Sequence, residues 1–129
     1  MKSVSLVALI ASTAFALGQS KDASDYLSEP EKYEGKKIIL PYAYVQRDSG
    51  PPEDPQTVMF GALTVTKGTN YKSGGIRVAV PASGASAFIK KYGLTPDHDQ
   101  NYNYRTKPLA GIFTKDKDGY YYLVYEPPK

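Results

Sequence analysis

From Lys36 onward the chain runs in short apolar–polar alternations punctuated by Gly, Pro and Asp, and its period changes once. Ile38, Ile39, Leu40, Tyr42, Tyr44 and Val45 predict a long first strand over Lys36–Gln46. Pro41 interrupts its alternation and has no N–H to give a ladder, so a bulge or an edge position is expected there. Thr57–Lys67 predicts a second strand, with Met59, Gly61, Leu63 and Val65 on one face and Val58, Phe60, Ala62, Thr64 and Thr66 on the other. Ile76–Val80 predicts a third, with Ile76, Val78 and Val80 inward and Arg77 and Ala79 outward. Gly50-Pro51-Pro52 and Ser73-Gly74-Gly75 mark the intervening loops. Then the period lengthens. Ala85, Phe88, Ile89 and Tyr92 fall on one helical face, with Ser83 as the expected N-cap, Lys90 and Lys91 in the last turn and Gly93 as the stop. Leu94–Arg105 is polar and aperiodic, a long loop of the kind that often carries function. Lys107–Lys115 and Tyr120–Glu126 predict two last strands joined by a hairpin at Asp116-Lys117-Asp118-Gly119.

Upstream, Met1-Lys2 is followed by an apolar run, Val4–Leu17, and by Ala14-Phe15-Ala16, an A-x-A cleavage pattern. This predicts a signal peptide over residues 1–18 and a secreted or periplasmic protein; a buried or interfacial N-terminal helix is the competing reading. The run falls short of the roughly 20 apolar residues of a membrane span. Residues 19–24 read as a linker and 25–129 as one domain. That domain opens with helical turns at Asp25–Ser28 and Pro30–Tyr33, closed by Gly35. Three strands, a helix and two strands is the order of the OB-fold, a five-stranded Greek-key β-barrel whose helix lies between strands three and four. The expected fold class is therefore all-β, a barrel with one helix, against an open α+β sheet or another small barrel.

The segment Pro30-Glu31-Lys32-Tyr33-Glu34-Gly35-Lys36-Lys37-Ile38 resembles the lead-in to the first strand of many bacterial exported OB-fold domains. Gly111-Ile112-Phe113 and the Gly-containing hairpin into Tyr120–Tyr125 look like their closing strands. The resemblance spans about Ala23–Glu126 and implies a binding module. It transfers no site residue, because no functional motif matches position by position.

Composition narrows the chemistry. There is no cysteine, which excludes disulfides, thiolate metal sites and cysteine nucleophiles. Loss of Lys2 with the leader leaves 15 basic against 13 acidic residues, a net of +2, too little for a dedicated duplex DNA binder. The single histidine sits in Asp97-His98-Asp99, where adjacent residues do not converge on one ion and no second histidine completes a zinc set. No G-x-S-x-G frames a nucleophile, so His98 as a general base lacks its partners. Asp116-x-Asp118-Gly119 has the look of a calcium loop but lacks the acidic twelfth position. Ser73-Gly74-Gly75 lacks the G-K-[ST] of a phosphate loop. No enzyme, cofactor or metal is expected.

The 12 tyrosines suit half-buried strands and stacking surfaces alike. On an OB-fold the ligand face covers strands two and three and is rimmed by the strand one–two and four–five loops. The expected binding residues are Phe60 and Arg77 on that face, with Tyr71, Tyr104 and Arg105 in neighbouring loops. The competing reading for Phe60 is packing beneath the proline-rich loop. The expected function is an exported, non-enzymatic binding module for a small ligand, an oligosaccharide or a peptide or protein partner. The alternative is an envelope adaptor docking through its sheet edge or through Tyr120, Tyr121, Tyr122 and Tyr125. Single-stranded nucleic acid binding and hydrolysis rank below both.

Overall fold

The computed structural model describes residues 21–48, 50–52, 54–66, 72–95 and 106–127. The leader, Tyr71, Tyr104, Arg105 and the Asp97-His98-Asp99 segment lie outside them.

Strands β1 (Lys37–Arg47), β2 (Thr57–Val65), β3 (Lys72–Pro81), β4 (Lys107–Lys115) and β5 (Tyr121–Tyr125) close a barrel in the order β1-β2-β3-β5-β4. Every pairing is antiparallel except β3 with β5, where Val78 lies opposite Leu123 and Ala79 opposite Val124. With its single regular helix between β3 and β4, this is the all-β, OB-fold-like barrel the element order predicts.

β1 works for both halves of the barrel because of its break at Pro41. Its N-terminal half pairs with β4, its C-terminal half with β2, and the β4 register shifts between Leu40 and Ala43. Ile38 and Leu40 are buried before the break, Ala43 and Val45 after it. The inward parity therefore flips from even to odd, as one extra residue in a strand requires. β3 also begins earlier than the glycine-rich stretch suggested. Gly74 sits in the strand at φ +112°, where the β2 register shifts between Leu63 and Val65. A Cβ there would lie 2.7 Å from the Ser24 nitrogen.

Two aromatic groups close the barrel ends. At one end α3 (Ala85–Tyr92) drops Phe88 inside, its ring centroid 4.8 Å from those of Phe60 and Tyr92 and 4.7 Å from that of Tyr125. The Tyr92 hydroxyl donates to the Pro108 carbonyl at 2.8 Å, and burial, with Tyr125 beside it, pushes its pKa well above the ordinary tyrosine value. At the other end α1 (Ala23–Ser28) and α2 (Pro30–Tyr33) set Tyr26 against Tyr33 at 4.8 Å, both near Phe113, which stacks on Tyr121 at 4.9 Å. α1 starts at Ala23, inside the expected linker, because Asp22 and Asp25 form a reciprocal capping box. Ser83 is not the cap of α3. It lies in a 3-10 turn, Ala82–Gly84, and Gly84 takes the N-cap position without a side-chain hydrogen bond.

The expected outward placement of Phe60 and Thr64 is corrected. Phe60 pairs with Val78 across β2–β3, and directly opposed residues point the same way, so both enter the core. Thr64 is equally buried; its hydroxyl accepts the Ala23 N–H at 3.1 Å and tethers α1 to the barrel. The outward partner of Arg77 on β2 is Gly61.

Candidate functional site

The β1–β2 loop and the β4–β5 hairpin rise on either side of Arg77, and the groove between them has a volume of about 660 Å³. Pro51 and Pro52 form one wall, Lys115 to Asp118 the other, and Tyr120 and Tyr122 the end nearest β5. Arg77 also borders a shallower depression of about 320 Å³ over Gln46, Gly61, Leu63 and Gly75. The two share Arg77, the depression lying over residues of β1, β2 and β3 and the groove reaching Tyr122 of β5. A separate cleft beside Lys21, Asp22 and Pro41 holds about 170 Å³, below the size of an ordinary small-molecule site.

Strand chemistry places these side chains. Ile76 and Val78 are driven inward, so Arg77 between them must leave the barrel. In β5, Leu123 and Tyr125 are buried, so Tyr122 and Tyr120 lie on the outward parity, and Tyr120 is 73% exposed. The hairpin carrying Tyr120 is rigidly built. Asp116 Oδ1 accepts the Asp118 N–H at 2.8 Å and the Tyr120 N–H at 2.9 Å, and Gly119 takes φ +92°. The fragment with the look of a calcium loop is thus a hairpin turn, its carboxylate turned onto its own backbone.

Arg77 is held from the opposite wall. Its Nε–H donates to Asp48 Oδ2 at 2.5 Å and its Nη2 to the Pro51 carbonyl at 2.6 Å, while the Gly50 N–H donates to Asp48 Oδ1 at 2.9 Å. Partial burial pushes the Asp48 carboxyl up, but the Gly50 N–H and the Arg77 guanidinium outweigh it and leave the pKa below the ordinary aspartate value. Gly50 fits closely against the pair; a Cβ there would lie 3.0 Å from Arg77 Nη2. Lys115 and Lys117 stand beside Asp116 and Asp118, so cationic and anionic groups around the groove are nearly matched.

Of the five expected site residues, Arg77 lies at the centre of the groove and Phe60 lies in the core. Tyr71, Tyr104 and Arg105 lie outside the described residues. Tyr120 and Tyr122, expected at an adaptor surface, line the groove. Their signal was present in the alternation of β5, since Leu123 fixes which parity is buried. Asp48 was not legible, because its partner is 29 residues away.

Among the described residues no group of His, Asp and Glu forms a metal-ligand set, and no helix is long and apolar enough to cross a membrane. Comparison of the chain with protein-family models, curated proteins and solved structures gives no match.

Proposed function

We propose that this protein is an exported, non-enzymatic binding module that takes a hydroxyl-rich, uncharged ligand, an oligosaccharide segment, along the Arg77 groove. The observation that carries this reading is the convergence of an exposed Tyr120 ring and a pre-positioned Arg77 in one groove whose charges balance. A tyrosine face stacks on a sugar ring, and an anchored guanidinium offers donors to hydroxyl and acetamido oxygens without reorganising. A nucleic-acid track would instead carry an excess of unpaired cations, and here Asp48, Asp116 and Asp118 offset Arg77, Lys115 and Lys117. Asp48 and Asp116 both hold backbone N–H groups, which supports binding over acid–base chemistry. Export rests on the leader pattern of residues 1–18 and on the resemblance to bacterial exported domains.

The test is calorimetric titration with a panel of oligosaccharides, alongside peptides and single-stranded oligonucleotides. A glycan should bind the wild type, and Tyr120→Ala should weaken it by about tenfold or more with an unchanged melting midpoint. Binding of oligonucleotides alone, or glycan binding indifferent to Tyr120, would refute the assignment.

A further inference from the structure

The barrel wall made by β1, β4 and β5 carries a second surface, distinct from the Arg77 groove. Strand register puts Lys37, Ile112 and Val124 side by side in one row and Ile39, Ala110 and Glu126 in the next. These positions point away from the core, where a strand in water ordinarily carries polar side chains. Here four of the six are aliphatic, they line a concavity of about 740 Å³, and Ile39 is 52% exposed. Lys37 Nζ and Glu126 Oε1 reach toward each other across the two rows, 3.6 Å apart, with side chains 58% and 44% exposed. An ion pair so open to water is weak and easily exchanged.

We propose that this wall is the interface of a symmetric homodimer. A two-fold contact requires a self-complementary surface, and this one has the needed pattern. Lys37 and Glu126 stand at opposite corners of an apolar grid, with Lys91 also lining the concavity, so a second copy can exchange the internal pair for two pairs between chains. The same axis that sets each Lys37 against Glu126 of the second copy brings each Ile39 near Ala110 of the second copy, a projecting side chain onto a small one. An anionic amphiphile in this groove would face Glu126, and a cationic one Lys37 and Lys91; a second copy sets an opposite charge against each member of the Lys37–Glu126 pair. The Arg77 groove stays open in such a dimer, since Tyr120 and Tyr122 occupy one end of β5 and Val124 and Glu126 the other.

Sedimentation equilibrium of the purified protein tests this, with circular dichroism of every variant as the check on folding. The average mass of the wild type should rise from one chain toward two with concentration. Ile39→Asp should weaken association by about tenfold or more. Lys37→Glu and Glu126→Lys should each sediment as monomers, because each sets like charges face to face. Mixing those two variants should yield a mixed dimer, and Lys37→Glu/Glu126→Lys in one chain should again self-associate. A wild type that remains a single chain throughout, or association that ignores these substitutions, would overturn the proposal.

Discussion

Arg77 and Asp48 hold the β1–β2 loop against the barrel, and their bond has a definite acid dependence. Because the folded Asp48 pKa is lowered, its contribution is fully present above the ordinary aspartate value of about 3.9 and is lost as pH falls through the lowered value. Thermal melts should show wild type more stable than Asp48→Asn at neutral pH, by about 1 kcal/mol, with the gap closing below about pH 4. A gap independent of pH would mean that the charge is not what matters. Phe60 and Arg77 should part company in the same assay. Phe60→Ala removes a ring packed 4.8 Å from Phe88 and should cost about 3–5 kcal/mol, whereas Arg77→Ala, on the outer face, should cost about 1 kcal/mol. Equal losses would show that Arg77 is as structural as Phe60. The outward placement of Arg77 was legible because it sits between residues that must be buried. The inward placement of Phe60 was not, since β2 carries apolar side chains on both faces and only its register with Val78 decides between them.

Among the elements, β4 and β2 each contain a mid-strand glycine, and the two serve opposite purposes. A Cβ on Gly111 would lie 2.7 Å from the Val124 carbonyl oxygen and 3.3 Å from Leu123 Cβ, so the strands could not keep their spacing. Gly111→Ala should therefore lower unfolding stability by about 1–3 kcal/mol in denaturant titrations. Gly61 has nothing closer than 3.9 Å, so Gly61→Ala should leave stability within about 0.5 kcal/mol. Its methyl group would instead stand in the depression beside Arg77 and weaken any ligand lying there, a loss read by calorimetry. Sequence alone marks both as glycines in strands and does not separate them, because the difference lies in how near a neighbouring backbone comes. The bulge at Pro41 and the α3 face were legible, since a missing N–H and a 3.6-residue period are local properties. The failure of Ser83 as a cap has a positional cause: β3 runs on to Pro81, the Ala82 N–H is taken by the Gln56 carbonyl at 2.8 Å, and the helix begins after a 3-10 turn.

For the molecule as a whole, the N-terminal helices belong to the barrel. The Gly35 N–H donates to the Phe113 carbonyl at 2.7 Å, the Phe113 N–H to the Lys36 carbonyl at 2.9 Å, and Ala23 and Tyr26 are buried. A chain starting at Lys36 should lose about 3 kcal/mol or more relative to one starting at Gln19, read from denaturant midpoints, because Phe113 loses the rings that cover it. An unchanged midpoint would show that α1 and α2 are appendages. The sequence by itself determined the number and order of strands, the place of the helix, the hairpin and the break in β1, all of which follow from side-chain period and backbone restrictions within a few residues. It also determined the composition of the chain's chemistry, above all the absence of thiols. The tertiary structure alone decided which face of β2 is buried, which tyrosines pack and which stand in the groove, and that Asp48 meets Arg77. Each of those depends on register and closure between segments far apart in the chain, and no local pattern encodes the alignment of two strands that first meet when the barrel closes.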